Sequence, residues 1–231
     1  MNKRINKFKH RPDVSDDLVK NFFSGKKQGI YVDVGANHPQ IDSQSYHLEK
    51  LGFQGLLIEP LPSYCRQLEK ERTGLVIQAA CSNIKNHGKY IDLVEAGVHS
   101  TLEHQPIAVG IKAGKKTSVL CMTLDRILKI NNIKPGFEFL SIDIEGHEIE
   151  MFKGFSIEIW RPQLIMLEDH VTNHKKHNHM TKNNYQLIMR TGLNSWYVPR
   201  SENYTLSLLS KLEFFRKYWL AMPLRKLRYA K

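Results

Sequence analysis

Cysteine, continuous apolar stretches and complete phosphate-binding motifs are all scarce in this sequence. The three cysteines, Cys65, Cys81 and Cys121, are odd in number, far apart and not arranged as C-x-x-C. This argues against a disulfide framework and a cysteine metal site, and it predicts reduced thiols in a cytoplasmic protein. No segment approaches the length of a membrane span, and residues 1–6 lack the apolar core of a secretory signal.

Acidic residues are scarce at the two ends of the chain, where the basic surplus lies. Of the net charge of +11, residues 1–28 contribute +5 and residues 205–231 contribute +6, so the middle is neutral. A cleft built to grip a polyanion needs positive charge nearer the centre, and no nucleic-acid partner is expected. With 231 residues and 41% hydrophobic content, the chain can form one substantial domain. We divide it into a basic arm with a short helix (1–28), a central domain (29–207) and a basic helix (208–231).

The segment 30–37 (IYVDVGAN) is the starting point for predicting the fold. A continuous apolar run bounded by turn residues predicts a strand buried on both faces, as in a parallel sheet. Asp33 then lies at the carboxyl edge of that sheet, and Gly35 permits a tight turn and the close approach of a ligand. The alternative is that Asp33 only caps the next helix and Gly35 only turns the chain. The turn is not G-x-G-x-x-G, and it lacks the Lys-Ser/Thr pair that holds a triphosphate.

Two more strands are predicted downstream, at 54–60 and 75–82. Glu59 lies near the end of the strand at 54–60, about twenty residues after the glycine turn. In a doubly wound sheet, an acid at this position accepts hydrogen bonds from ribose hydroxyls. The alternative for Glu59 is an exposed acid at a strand end. The second strand ends in small residues, which leave room for a flat base that Ser82 can hydrogen-bond; tight packing explains them equally well.

The remaining elements follow from periodicity and capping signals. After an extended arm at 1–12, helices are predicted at 15–23 with Ser15 as cap, 43–51, 62–72, 123–128, 148–152 and 181–189. Further strands are predicted at 89–95, 117–122, 137–143 and 162–170, with a closing pair at 194–197 and 204–206. The polar stretch 99–101 is expected to fold over the sheet. The histidine-lysine run at 174–179 is interpreted as a mobile lid or solvated loop rather than a metal site.

Chemically useful side chains follow successive strands. They are Asp33, Glu59, Ser82, Asp143, Glu145, Glu168, Asp169 and His170. The carboxyl ends of parallel strands meet at one edge of a sheet, so convergence on one crevice explains these positions better than chance. The predicted fold class is α/β, with a mostly parallel central sheet flanked by helices.

The sequence resembles the FkbM family of S-adenosylmethionine-dependent methyltransferases over residues 29–207. The segments that carry the resemblance are VDVGAN (32–37), GLLIEP (55–60), TLD (123–125), FLSIDIEGHE (139–148) and PQLIMLE (162–168). His38 and Pro39 follow the first segment, where many members have a glycine. The resemblance implies a Rossmann-like class I methyltransferase fold and O-methylation of sugars, polyketides or similar hydroxylated metabolites.

The resemblance also implies where S-adenosylmethionine binds. Asp33 and the turn from Gly35 to Asn37 would hold the methionine end, and Glu59 would hold the ribose. The implied cofactor-binding residues are Asp33, Gly35, Ala36, Asn37, Glu59, Pro60, Ser82 and Asp143.

Methyl transfer to a sugar hydroxyl needs a base or a metal that takes the hydroxyl proton. The candidates are Asp143, Glu145, His147, Glu168 and His170, with His147 or Asp143 favoured. The alternative for His147 is a structural role in the turn. A divalent cation held by Asp143 and Glu168 stays open, and oxygen ligands favour magnesium or manganese over zinc.

The C-terminal helix is predicted to be amphipathic. Leu208, Leu212, Phe215, Trp219 and Met222 form one stripe, and basic residues lie off it. Such a tail can lie in an anionic membrane interface, which makes a lipid-linked glycan at the inner face of the membrane an attractive acceptor. The alternatives are a helix docked on the domain and a contact in a homo-oligomer.

Other functions are compatible with the sequence. The basic charge suggests a nucleic-acid methyltransferase, but methylation of a base amine often uses Asn/Asp-Pro-Pro-Tyr/Phe after the fourth strand, where this chain has DIEG (143–146). Methylation of a small metabolite is a second possibility. A third is a cofactor-binding protein that lacks catalysis and acts through its membrane tail.

Overall fold

A seven-stranded sheet with helices on both faces forms the centre of the protein. The structure, a computed structural model, describes residues 12–23, 26–94, 101–102, 114–202, 204 and 208–229. Parts of three predicted features lie outside the described residues. They are residues 1–11 of the expected arm, residues 99–100 of the polar stretch and residues 205–206 of the expected closing strand.

Helices and strands alternate over residues 12–78, and their order is less regular after that. The strands in the described residues are β1 (Ile30–Val34), β2 (Gln54–Glu59), β3 (Leu75–Gln78), β4 (Ala80–Cys81), β5 (Tyr90–Val94), β6 (Thr101–Leu102), β7 (Lys116–Met122), β8 (Phe139–Ile142), β9 (Leu164–Glu168), β10 (Tyr185–Thr191) and β11 (Asn194–Pro199). The helices are α1 (Pro12–Phe22), α2 (Tyr46–Lys50), α3 (Pro62–Glu71), α4 (Leu124–Ile130), α5 (Glu148–Phe152), α6 (Ile157–Trp160), α7 (Lys175–Lys182), α8 (Leu208–Phe215) and α9 (Met222–Tyr229), with a π-helical turn (Arg216–Leu220) between the last two.

The main sheet has the order β10-β11-β9-β8-β1-β2-β3. β11 is antiparallel to both of its neighbours, and the strands from β9 to β3 are parallel. Asp33 is opposite Leu57 on one side and Ser141 on the other, so the ends of β1, β2 and β8 lie at the same edge. The predicted α/β class with a mostly parallel sheet is confirmed.

Each face of the main sheet buries an apolar layer. One layer packs the helices α1, α2 and α3 on the sheet through Val19, Leu48 and Leu68. The other packs α4 to α7, for example through Leu128 and Met180. β8 and β9 are buried at every position, which is why their sequences are mainly apolar and do not alternate between apolar and polar residues. Among the described residues, no helix has both the length and the apolar character that crossing a bilayer requires.

The N-terminal helix begins earlier than expected. α1 starts at Pro12, so Ser15 lies inside the helix and the prediction that it caps the helix is wrong. Proline is favoured in the first turn of a helix, because its fixed φ fits and its missing N–H needs no partner there. α2 is shorter than the predicted 43–51, since residues 43–45 form a turn in which the Ser43 hydroxyl accepts a hydrogen bond from the Tyr46 N–H at 3.2 Å.

The expected third strand, 75–82, is split between two sheets. β3 pairs with β2 in the main sheet, whereas β4 pairs with β7 in a second sheet of order β4-β7-β5-β6. Between them the Ala79 N–H donates to the Glu59 carbonyl at 3.2 Å. The second sheet packs on Leu61 and places Cys81 and Ser82 beside the end of the main sheet.

Two predictions for residues 174–189 are wrong. The histidine-lysine run forms helix α7 instead of a lid or loop, and its Lys176 forms an ion pair with the buried Glu148 at 2.8 Å. The predicted helix at 181–189 is instead the end of α7 followed by strand β10. Asn184, with φ of 61°, turns the chain between them, and pairing with β11 outweighs local helix propensity.

The C-terminal segment, residues 208–229, is not one continuous helix. The π-helical turn shifts the side chains after Phe215, so the predicted stripe does not share one environment. Leu208, Leu212, Phe215 and Trp219 are exposed, whereas Met222 is buried together with Tyr218. The segment therefore docks on the domain through one side and leaves apolar side chains on the other.

Candidate active site

A cavity of about 630 Å³ opens at the carboxyl ends of β1, β8 and β9. Five acidic residues from these strands and the loops after them line it: Asp33, Asp42, Asp143, Glu145 and Glu168. The strands are parallel neighbours, so their carboxyl ends meet at one edge. The loop after β1, the β10–β11 hairpin and the C-terminal segment provide the other walls.

The glycine turn after β1 lies against the loop after β8. Gly35 has φ of +85°, and a Cβ built on it would lie 1.8 Å from the carbonyl oxygen of Asp143. The Asp143 N–H donates to the carbonyl of Val34 at 3.0 Å, which fixes this contact. Asn37 is also left-handed, with φ of 50°, and its buried Oδ1 has no hydrogen-bond partner among the described residues.

Asp33 is buried and held by a polar network. The Ser45 hydroxyl donates to its Oδ2 at 2.5 Å, and the Arg72 guanidinium donates to that hydroxyl at 3.0 Å and to the Tyr31 hydroxyl at 2.9 Å. Burial raises the pKa of Asp33, while the hydrogen bond from Ser45 and the charge of Arg72 act in the opposite direction. Asp33 is thus fixed in orientation at the edge of the cavity.

Glu59 lies next to the glycine turn, at the end of β2. It is 4% exposed, and its carboxylate accepts hydrogen bonds from the N–H groups of Asn37 and Leu61, each at 2.9 Å. Burial raises the pKa of Glu59 to about 7 despite these two bonds. The charge of Asp33 also raises the pKa of Glu59, so the two carboxyl groups interact, although Glu59 does not line the cavity.

A small recess also borders the glycine turn, since Gly35 lines both it and the cavity. It is lined by Val34, Gly35, Ile58, Pro60, Ala79, Ala80, Cys81, Leu93, Ile144 and His147. His147 Nε2 lies 3.0 Å from the Ser82 hydroxyl, and its Nδ1 is buried without a hydrogen-bond partner among the described residues. Burial lowers the pKa of His147, so its imidazole is neutral at pH 7.

Asp143, Glu145 and Glu168 form a carboxylate cluster. One oxygen from each lies within 4.8 Å of the others. His170 Nε2 is 3.1 Å from Glu168 Oε1, and the ammonium of Lys176 donates to the Glu168 carbonyl at 2.8 Å. Oxygen atoms of this kind can hold a hard divalent cation or exchange protons with a substrate.

The pKa values of two members of the cluster are shifted in opposite directions. Burial raises the pKa of Asp143, and the carboxylates of Glu168 and Glu145 raise it further. Burial acts on Glu168 in the same direction, but the hydrogen bond from His170 and the charges of His170 and Lys176 leave its pKa below the usual value. The pKa of His170 is raised, mainly by its hydrogen bond to Glu168. Within the pair, these effects favour the proton on Asp143 and the negative charge on Glu168.

Asp169 points away from this cluster and holds the C-terminal segment. The Tyr218 hydroxyl donates to Asp169 Oδ2 at 3.0 Å and lies 3.1 Å from the Ser195 hydroxyl. Arg190 donates to Ser195 Oγ at 2.5 Å and to the Asp169 carbonyl at 2.7 Å. This buried network places the π-helical turn beside the cavity.

The structure brings together most of the predicted site residues. The predicted residues that line the cavity are Asp33, Gly35, Ala36, Asn37, Asp143, Glu168 and His170. Pro60 and His147 line the recess, and Ser82 contacts His147 there. His147 does not line the cavity that contains the carboxylate cluster.

Several residues that shape the site were not found from the sequence. Arg72, Arg190 and Lys217 are cations of a kind usually found on surfaces, and each is buried through contacts far away in the chain. Ser45 lies in a loop, where its sequence neighbours give no sign of a contact with Asp33. No local signal separates these residues from the other basic and hydroxyl side chains of the chain.

The comparison with protein families agrees with this geometry. Residues 33–191 match the Methyltransferase FkbM domain, and no curated protein matches the chain. The crystal structure of the small RNA methyltransferase HEN1 aligns with 90% of this chain at a TM-score of 0.39 and 8% identity. This chain covers 28% of that protein, and a likeness of this size carries no argument about substrate. Since the family match covers more than half of the chain, including both strand ends that carry the carboxylate cluster, the protein belongs to the FkbM family of S-adenosylmethionine-dependent methyltransferases.

Proposed function

We propose that this methyltransferase transfers a methyl group to a hydroxyl of a sugar in a glycan or glycolipid. The observation that carries the proposal is the ionised Glu168 in a cavity that also reaches the glycine turn at Gly35. A sugar hydroxyl is a weak nucleophile, and a nearby carboxylate that accepts its proton is the group it needs. A cavity of about 630 Å³ has the size of a small-molecule site.

The residues around Gly35 suit S-adenosylmethionine. The buried Asn37 Oδ1 is an acceptor that an ammonium group would satisfy, and the Glu59 carboxylate would accept hydrogen bonds from ribose hydroxyls. The recess lined by Pro60 and Ile144 offers an apolar surface for a flat base. When bound, the cofactor supplies a methyl group on a positively charged sulfur.

We assign proton removal to Glu168, supported by His170. The pKa of Asp143 is raised by burial and by its carboxylate neighbours, so Asp143 suits a hydrogen-bond donor that orients the acceptor better than it suits the base. His147 is neutral and sits in the recess, where it contacts Ser82. Much of the acceleration in such a transfer comes from aligning acceptor oxygen, methyl carbon and sulfur, which rigid strand ends favour.

A divalent cation on the carboxylate cluster is the second way to activate the hydroxyl. Three carboxylate oxygens within 4.8 Å of one another suit magnesium or manganese. A bound cation would favour the ionised form of Asp143, so the two mechanisms differ in pH dependence. Loss of activity with a chelator, and its recovery on adding magnesium or manganese, supports the cation. Unchanged activity with the chelator supports Glu168 alone.

The test is transfer of a radiolabelled methyl group from S-adenosylmethionine to fractionated glycans and glycolipids. Glu168→Gln should lower the rate about 10²–10⁴-fold, the range for loss of a general base. Glu158→Gln, a change of the same kind at an exposed site, should leave it unchanged. Label found only in nucleic acid or in a small metabolite would contradict the sugar acceptor, and cofactor binding without any transfer would favour a non-catalytic role.

We further propose that the C-terminal segment lies on an anionic membrane surface. Leu208, Leu212, Phe215 and Trp219 are between 54% and 72% exposed, and Lys211 and Arg216 are exposed beside them. Large apolar side chains with neighbouring cations suit the interface of an anionic bilayer. A lipid-linked glycan at the inner face of the membrane would then meet the cavity directly.

Flotation with phosphatidylglycerol vesicles tests this proposal. Replacing Phe215 and Trp219 by serine should reduce the bound fraction several-fold, whereas Ile84→Ser and Ile159→Ser, at similarly exposed sites elsewhere, should not. Equal binding by all variants would overturn the proposal. A dimer that dissociates when Phe215 and Trp219 are replaced would show instead that the exposed stripe is a contact between two copies.

A further inference from the structure

The loop between β1 and α2, residues 35–45, forms one wall of the cavity. Seven of its residues line the cavity: Gly35, Ala36, Asn37, Ile41, Asp42, Ser43 and Gln44. Two of them, Asn37 and Asp42, have left-handed φ values of 50° and 57°. This conformation is unfavourable for residues other than glycine and persists where surrounding contacts hold it. The shape of this wall therefore depends on the contacts that hold the loop.

Arg72, which directly follows α3, supplies such contacts. Its guanidinium donates to the Pro39 carbonyl at 2.9 Å, the Ser43 hydroxyl at 3.1 Å and the Ser45 hydroxyl at 3.0 Å. These three acceptors lie on both sides of Asp42 in the loop. One side chain thus holds the loop at three points.

The other donors of Arg72 bind the elements on either side of the loop. They donate to the Tyr31 hydroxyl in β1 at 2.9 Å and to Glu49 Oε1 in α2 at 3.0 Å. A guanidinium has five N–H groups, and these five hydrogen bonds use all of them. The side chain of Arg72 is fully buried, and the ion pair with Glu49 compensates its charge. Arg72 therefore acts as a set of fixed donors and not as a binding group for an anion.

One of the five hydrogen bonds continues to the carboxylate at the end of β1. The Ser45 hydroxyl accepts from Arg72 and donates to Asp33 Oδ2 at 2.5 Å. The same guanidinium thus orients the loop and, through one serine, a carboxylate that lines the cavity.

We propose that Arg72 is a positioning residue for the cofactor: it holds residues 39–45 and, through Ser45, the Asp33 carboxylate in the arrangement that S-adenosylmethionine binds. The loop is then ordered before the cofactor arrives, so binding does not bear the entropic cost of ordering it. A lysine carries the same charge but lacks the planar fork that reaches several acceptors at once. The inference concerns the cofactor and holds for any acceptor.

Calorimetric titration of S-adenosylhomocysteine tests this role. Arg72→Gln and Arg72→Lys should each weaken binding at least about tenfold, at a temperature where circular dichroism shows both variants folded. Tyr185→Phe is the matched control, because it removes a buried hydrogen bond to the Pro162 carbonyl at 2.9 Å between β10 and the turn before β9. It should lower the melting temperature and leave the affinity unchanged.

Chemical rescue separates positioning from a loss of stability. In Arg72→Ala, millimolar guanidinium should restore most of the affinity for S-adenosylhomocysteine in a saturable manner, because the ion can occupy the space of the missing side chain. Ammonium and urea at the same concentration should not restore it. Rescue by ammonium equal to that by guanidinium would show that charge alone matters, which contradicts the proposal.

Ser45→Ala tests the link to Asp33 with Arg72 in place. Loss of Arg72 leaves the buried Glu49 carboxylate without its partner, so Ser45→Ala decides the question if the Arg72 variants do not fold. It should weaken binding about three- to tenfold, and it should add little to the loss in Arg72→Gln, because both side chains act through one chain of hydrogen bonds. Ser156→Ala removes a similar serine–aspartate hydrogen bond, 2.6 Å long, at the junction of α4 and α6, and should not change the affinity.

Two results would overturn the inference. Unchanged affinity in the folded Arg72 variants and in Ser45→Ala would mean that the cofactor does not depend on the arrangement of this loop. An equal loss of affinity in Tyr185→Phe and Ser156→Ala would mean that the effect reflects the stability of the whole fold.

Discussion

At Gly35 a left-handed backbone conformation and close packing coincide at the site. A Cβ there would lie 1.8 Å from the Asp143 carbonyl oxygen, and φ is +85°. We expect Gly35→Ala to lower the melting temperature and to abolish binding of S-adenosylhomocysteine in calorimetry, because the loops after β1 and β8 must separate. Gly88 has a similar φ of +77° with open space around it. Gly88→Ala should therefore lower the melting temperature only modestly, through the unfavourable φ alone. An equal effect at both positions would contradict the steric argument.

Glu59 gives cofactor binding a dependence on pH. Ribose hydroxyls bond best to the ionised carboxylate, and burial raises the pKa of Glu59 to about 7. Affinity should therefore rise as pH increases from 6 to 8, by about tenfold for one group with this pKa. Titrations of S-adenosylhomocysteine in buffers of different ionisation enthalpy should also show proton release at pH 6. Glu59→Gln should bind more weakly at pH 8 and lose the pH dependence, and a dependence that persists in this variant would assign it to another group.

At the scale of elements, the contribution of Tyr218 to holding the C-terminal segment on the domain can be measured as a change in the free energy of unfolding. Tyr218→Phe removes the hydrogen bond to Asp169 Oδ2 and the contact with Ser195. The free energy of unfolding in urea should fall by about 1–3 kcal/mol, since a buried carboxylate oxygen loses a partner. Tyr90→Phe, at a residue that is 70% exposed, is the matched control and should change it little. Equal values for the two variants would mean that the segment is held mainly by its apolar contacts.

The strands were predicted well from the sequence because their environment is uniform. β1, β2, β8 and β9 are buried at most positions, so their sequences are mainly apolar, with few polar residues such as Asp33, Glu59 and Glu168 near their carboxyl ends. The prediction of a helix at 181–189 was wrong because the pattern of apolar residues there is compatible with a helix or a strand. Pairing with β11 favours the strand. The split at Ala79 likewise depends on β7, forty residues away in the chain, and has no local signal.

At the scale of the whole molecule, the acidic half of the site was predictable and the basic half was not. Acids such as Asp33 and Asp143 follow recognisable strands, and the parallel sheet brings them together. Arg72, Arg190 and Lys217 reach the site through tertiary contacts of helices and hairpins, which composition and periodicity do not specify. The sequence located the basic surplus at the ends of the chain. Only the tertiary structure shows that part of it lines the cavity.

Cofactor binding should stabilise the whole fold, because the site joins elements from both halves of the chain. At a concentration 100 times the dissociation constant, S-adenosylhomocysteine should add about 2.7 kcal/mol to the free energy of unfolding. For a chain of this size the melting temperature should rise by about 5–10 °C in differential scanning fluorimetry. Gly88→Ala should keep this shift and Gly35→Ala should lose it. A shift in both variants would place the ligand away from the glycine turn.

The π-helical turn faces two ways: Lys217 is turned into the cavity and Trp219 is exposed on the outside. If the outer side rests on lipid, the enzyme and its acceptor search for each other in two dimensions. The reaction rate then follows the number of acceptors per unit of surface area, and adding inert lipid at constant acceptor slows it by surface dilution. Five consecutive residues would in this way connect the wall of the cavity to the surface that carries the acceptors.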